Sequence, residues 1–228
     1  MSSWPMRGWL AGALALALAA AVGPAEGEPG PGGPEDRLRA LEAANEELGH
    51  RLDELAKAVD DVAFFARLGD VAEVDKWRIT GPPPANVKNP KAAGATNPVK
   101  FYTYTFFPKN RKAGEKLPLL LLPHGGVHAD FTTYHVHILR ELLAQGYAVV
   151  APEYRGSTGY GAGFYRLIDY GGREVDDCHA AAQWALESFD FLDAGRVGLI
   201  GWSHGGLIVL FEAFRHPEVY KCWFAGVP

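Results

Sequence analysis

The chain has 228 residues, 48% of them hydrophobic, with 22 Lys plus Arg against 27 Asp plus Glu for a formal net charge of −5. That is enough apolar material to build one or two domains with a real core. The mild acidity comes without a basic stripe, which excludes the usual electrostatic footprint of a nucleic-acid binder.

In chain order, one positive side chain in residues 1–7 precedes an almost wholly apolar run over 9–22 and the small residues Ala25 and Gly27. This is the pattern of a secretory signal peptide over 1–27, exporting the chain to the periplasm or the extracellular space. The alternative is an uncleaved N-terminal membrane anchor, although the run is shorter than the ~20 residues a span needs. Residues 28–34 form a Pro/Gly linker.

Over 35–69 the apolar positions recur by threes and fours. Leu38, Asn45, Leu52 and Val59 fall at a, and Leu41, Leu48, Leu55 and Val62 at d. That is a heptad seam, and a lone asparagine at a fixes register in parallel dimers. Arg37 at g and Glu42 at the following e suit an interchain ion pair. The seam therefore predicts a homodimer through 35–69, or else one amphipathic helix packed on the following domain. Gly49 weakens either helix by ~1 kcal/mol relative to alanine. Residues 70–99, with five prolines after Trp77, are expected to be a connecting loop.

From residue 100 the pattern changes. Strands are predicted at 101–107, 117–122, 147–151, 196–201 and 220–226, the first two joined by a polar, hairpin-like turn over 109–116. Helices fall near 131–145, 174–188 and 204–215. Strands alternating with helices predict an α/β domain with a parallel sheet covered on both faces. Cys178 in a helix and Cys222 in a strand, both beside apolar residues, are expected to be buried free thiols.

Ser203 is the most informative residue. It sits in Gly201-Trp202-Ser203-His204-Gly205, between the apolar run 197–200 and a helical pattern. A Gly-x-Ser-x-Gly on a strand–turn–helix is a nucleophile elbow, which holds the serine on a strained turn with its hydroxyl above the sheet. Earlier, the apolar strand 117–122 ends in Pro123-His124-Gly125-Gly126. In elbow-bearing sheets that loop supplies one amide of the oxyanion hole, and the residue after the nucleophile supplies the other. Losing one such donor typically costs roughly 3–4 kcal/mol of transition-state stabilisation.

Four stretches carry a family resemblance. Pro123-His124-Gly125-Gly126-Val127-His128, the loop 151–161 containing Tyr154-Arg155-Gly156-Ser157, the helix start Gly171 to Asp177, and the elbow Gly201 to Gly206 are similar to the prolyl oligopeptidase family of serine peptidases. The resemblance implies a doubly wound, mostly parallel α/β-hydrolase sheet over 100–228, preceded by a long helix. It implies Ser203 as nucleophile and Gly126 and His204 as backbone oxyanion donors, acting on a peptide or small ester through an acyl-enzyme without metal or cofactor. Tyr154 and Arg155, at a strand's C-terminal end, are expected either to line the substrate pocket or to hold their own loop in place.

A serine nucleophile also needs a general base and a carboxylate to orient it. After Ser203 come only His204, His216, Glu212 and Glu218. His204 leaves the elbow with its helix, and His216 stands ~20 Å along the axis. The family places its acid and histidine beyond the strand 220–226, so the expectation is a hydrolase cut short before its triad is complete, inactive as these 228 residues. The alternative is a non-catalytic coiled-coil assembly or binding protein on a hydrolase-like scaffold. His128, His135 and His137 lack flanking acids or cysteines, so no metal site is expected there. Asp176 and Asp177 suit the positive end of a helix, and Trp202 suits the core.

Overall fold

A computed structural model describes residues 32–228. The expected signal peptide, and most of the linker, lie outside the described residues. The elements are α1 (Pro34–Leu68), β1 (Ala72–Thr80), β2 (Lys100–Pro108), β3 (Leu117–Leu121), a 3₁₀ turn (Thr133–His135) leading into α2 (Val136–Ala144), β4 (Ala148–Glu153), α3 (Gly161–Tyr165), α4 (Arg173–Ser188), β5 (Leu192–Trp202), α5 (His204–Arg215) and β6 (Tyr220–Gly226). Among the described residues, no helix is long and apolar enough to cross a membrane.

Six strands form one sheet in the order β1-β2-β4-β3-β5-β6. The last four are parallel, and β1 and β2 are antiparallel additions. The α/β-hydrolase prediction holds as a mixed sheet. Two details differ. Residues 72–80, expected in a loop, are the edge strand β1, paired with β2 from Ala72↔Pro108 to Thr80↔Lys100. The 109–116 connection is no hairpin, because β4 lies between β2 and β3.

Alternate residues of one strand serve opposite faces of the sheet. Leu119 and Leu121 point to a core closed by Val175 of α4 and Ile208 and Val209 of α5. Leu120 and Leu122 point to a second core closed by Phe64 and Leu68 of α1 and by Phe131, Leu139 and Leu143. Each fully buried leucine contributes ~1.5–3 kcal/mol relative to exposure. Covering both faces this way is what lets β3 be a run of leucines rather than an alternating strand.

The side of α1 that packs on the sheet is not its heptad seam. Phe64 packs among Tyr104, Phe106 and Phe131, stacked on the last, and Lys57 is buried. The seam leucines and valines are all exposed. Both cysteines are free as expected, but only Cys178 is buried; Cys222 is exposed on β6.

Candidate active site

β5 ends at Trp202 and α5 begins at His204, so Ser203 alone turns the chain. Its φ of 54° and ψ of −126° lie where L-residues are strained. Strand and helix can cross this closely because a Cβ on Gly201 would stand 2.5 Å from the Gly205 carbonyl oxygen, and one on Gly205 would stand 2.4 Å from that of Pro123. The Ser203 amide donates to the Gly226 carbonyl at 2.9 Å, tying the turn to β6. Serine before a helix usually caps it with its side chain. Here the side chain makes no cap, and Ser203 is solvent-exposed. His204 is the first residue of α5, and the first amides of a helix have no intrahelical acceptor.

The loop after β3 faces this turn. A Cβ on Gly125 would lie 2.9 Å from the Trp202 carbonyl oxygen and 3.5 Å from the Ser203 Cβ, so only glycine fits. Gly126 follows with φ of 81°. The loop is held from below by the Tyr154-to-Ser157 stretch. The Tyr154 ring stacks on His124 at 4.2 Å, and its hydroxyl lies 2.9 Å from the Gly126 carbonyl and 3.0 Å from that of His124. Ser157 Oγ donates to the Tyr154 carbonyl at 2.6 Å and sits 2.9 Å from His124 Nε2. Burial pushes the His124 imidazole down to about 3 and the Tyr154 hydroxyl well up, so both stay neutral.

A cavity of about 690 Å³ opens beside Ser203. It is lined by Gly125, Gly126, Ala129, Asp130, Thr132, Tyr134, Ile138 and Trp202, together with His135 and His137. Its floor segment is anchored by α1. The buried Lys57 ammonium donates to the Phe131 carbonyl and lies 3.0 Å from Glu153 and 3.5 Å from Asp130 and Asp61. Asp60 accepts from the Thr133 amide at 2.8 Å and its hydroxyl at 2.6 Å. Burial opposes the Lys57 charge, yet Glu153, Asp130 and Asp61 outweigh it and hold the ammonium above its usual range. Burial pushes the fully enclosed Glu153 carboxyl up to about 7 against the pull of Lys57.

The structure brings Ser203 and Gly126 to one cavity and sets the His204 backbone beside them. It corrects the pocket role expected of Tyr154 and Arg155. Neither lines the cavity, because both are fully buried. Arg155 makes a two-pronged pair with Asp177, Nε to Oδ2 at 2.8 Å and Nη2 to Oδ1 at 2.7 Å, and donates to the Pro82 and Pro83 carbonyls. Asp177 is thus the partner of an arginine rather than a helix-terminal charge. Trp202, expected in the core, is half-buried and forms cavity wall. Lys57, Asp60 and Glu153 carry no signal in the sequence; no local pattern links residues that meet across 70 or more positions.

No histidine is placed as a base for Ser203. His124, His128, His135 and His137 bond Ser157, the Gly156 carbonyl, the Thr132 carbonyl and the Tyr134 carbonyl respectively. His50 and His216 stand beside Glu46 and Glu218. His204 turns into the protein, where burial and then the charge of His128 push its imidazole down and neither ring nitrogen finds a hydrogen-bond partner. His179 bonds Glu212 at 3.1 Å and stacks on His216 at 3.6 Å. These last three side chains offer ligand atoms within 4.8 Å of one another, at the far end of α5 from Ser203. The Glu212–His179 bond and the face-to-face imidazoles make this a hydrogen-bonded packing contact.

Comparison with known proteins bears on the family and the fold. Residues 133–228 match the model of the prolyl oligopeptidase family. The acylamino-acid-releasing enzyme of Sus scrofa is 33% identical over 146 residues, covering 63% of this chain and 19% of that protein. Dipeptidyl peptidase 8 of Mus musculus is 30% identical over 141 residues, covering 59% and 16%. The uncomplexed acylaminoacyl peptidase of Pyrococcus horikoshii superposes with a TM-score of 0.53 at 20% identity, over 68% of this chain and 23% of that one. The chain spans about a fifth of the length of the curated relatives it matches. With its elbow on β5, its glycine loop after β3 and its mixed, doubly covered sheet, this chain carries an α/β-hydrolase segment that matches the prolyl oligopeptidase family over residues 133–228.

Proposed function

We propose that the protein is a serine hydrolase that cleaves a peptide or ester bond through an acyl-enzyme at Ser203. The observation that carries this reading is the strained, uncapped and exposed serine facing a loop in which only glycine fits. The Ser203 oxygen attacks the carbonyl carbon of a substrate lying in the cavity. Negative charge moves to the carbonyl oxygen, where the Gly126 and His204 amides receive it. The serine proton passes to a base and then to the departing amine or alcohol, and water releases the acyl group by the same steps in reverse order. The eight histidines of these 228 residues are all directed elsewhere, so the base is not one of them in this arrangement. On their own, residues 1–228 should retain only the residual catalysis of a site without its triad partners, roughly 10³–10⁴-fold over water.

A fluorophosphonate probe tests the reading on the gene product expressed in its own host. Labelling mapped to Ser203 and lost in Ser203→Ala supports it. A folded, unlabelled protein favours the second reading, a non-catalytic binding protein on a hydrolase scaffold, for which the placement of the histidines speaks. The apolar N-terminal run supports export as the place of action, with anchoring by an uncleaved N-terminus as the alternative; fractionation of that host separates the two.

A further inference from the structure

We infer that the heptad seam of α1 is the contact surface for a second copy of this chain, joined as a parallel two-stranded coiled coil. The inference is independent of Ser203 chemistry.

The decisive point is which side of the helix each residue takes. In the register set by Leu52 at a and Leu55 at d, positions f fall at His50, Lys57 and Phe64. All three meet the hydrolase body: His50 packs edge-on against Tyr165 at 5.0 Å, and Lys57 and Phe64 are buried. Position f lies on the opposite side of a helix from the a/d seam. The body therefore occupies the back of α1 and leaves the seam free. Leu48, Leu52, Leu55 and Val59 are 58–65% exposed. An amphipathic helix serving only its own domain would turn these residues inward, and this one turns a lysine inward instead.

Three features select a second copy over another occupant. A strict 3-4 spacing over eight positions is self-complementary, since each a and d knob fits a hole made by the same residue types. Asn45 at a is matched only by another Asn45, across a parallel pair in register. Arg37 at g faces Glu42 at e of the partner helix, an opposite-charge pair that parallel alignment creates. The geometry also permits assembly. With f positions pointing away from the coil axis, the two hydrolase bodies stand on opposite sides of it.

The full chain should sediment as a dimer, and Leu48→Glu with Leu55→Glu should make it a monomer with unchanged circular dichroism. These residues are exposed in the monomer, so the substitutions leave its core intact. In a Cys222→Ser background, Leu41→Cys should form an intermolecular disulfide, because a parallel dimer sets each d residue against its own copy. A monomer at every concentration reached would overturn the inference, as would a dimer indifferent to the two glutamates. A dimer in which Leu41→Cys stays reduced under oxidising conditions would overturn the parallel arrangement.

Discussion

The Tyr154 hydroxyl lies 2.9 Å from the carbonyl oxygen of Gly126. A side chain one layer below the cavity therefore sets the backbone that the reaction would use. The rest of its loop reinforces the clamp, with Ser157 holding His124 and the Gly156 carbonyl 2.9 Å from His128 Nδ1. Tyr154→Phe keeps the ring stack and removes the hydroxyl. It should destabilise the protein by ~1–3 kcal/mol through unsatisfied buried carbonyls. It should also slow fluorophosphonate labelling of Ser203 by about tenfold or more, the equivalent of ~1.4 kcal/mol in loop placement. Labelling at the normal rate would remove the clamp role.

Two glycine substitutions should move stability in opposite directions. Gly205→Ala drives a Cβ to 2.4 Å from the Pro123 carbonyl oxygen, a backbone atom with nowhere to go. The cost should be ~1–3 kcal/mol or more, with loss of labelling. Gly49→Ala meets nothing within 4 Å on an exposed helix and should stabilise by up to ~1 kcal/mol. Urea midpoints of the two variants check both signs.

The buried Arg155–Asp177 pair should be costly to halve. Asp177→Asn leaves a guanidinium without its counter-charge and should lose ~3–5 kcal/mol. Replacing both by apolar residues of similar volume should recover much of that loss. A double variant as unstable as the single one would mean that the pair's worth lies in its hydrogen bonds to Pro82 and Pro83.

Acid should find His124 and Glu153 with opposite signs. His124 falls from 6.5 unfolded to about 3 folded. Below pH 6.5 the unfolded chain binds the extra proton, so this contribution is lost as pH falls toward 3. Glu153 rises from 4.5 to about 7, so the folded state binds the extra proton and its stability contribution declines as pH rises from 4.5 to 7. Relative to the native chain, His124→Asn should flatten the acid limb of a stability–pH curve, and Glu153→Gln should flatten the decline between pH 4.5 and 7. Unchanged slopes would place the titration on other groups.

Much of this is legible in the sequence because its causes are local. The elbow shows itself since a strand, a glycine-flanked serine and a helix follow one another without interruption. The leucine run of β3 announces a strand covered on both faces. What stays hidden depends on distant partners. β1 gives no clear strand signal because its inward Lys76 breaks the apolar alternation, and what explains it lies far off in the chain: Asp61, 2.5 Å away on α1, and the rings of Tyr102, Tyr104 and Tyr160. Tyr154 and Arg155 mislead for the same reason: their position at a strand's end suggests a pocket, while His124 and Asp177 pull them beneath it. The heptads are visible, but which side of α1 the body takes is not.

Among the described residues, β6 is the outermost strand on its side of the sheet, and it carries Trp223 and Phe224, each about half exposed, beside the thiol of Cys222. An unpaired ladder edge flanked by aromatic side chains is a template for further strands. Recombinant material of these 228 residues should therefore tend to precipitate or cross-link through this margin during purification. A charged residue placed at Trp223, together with a reducing agent, should keep it in solution.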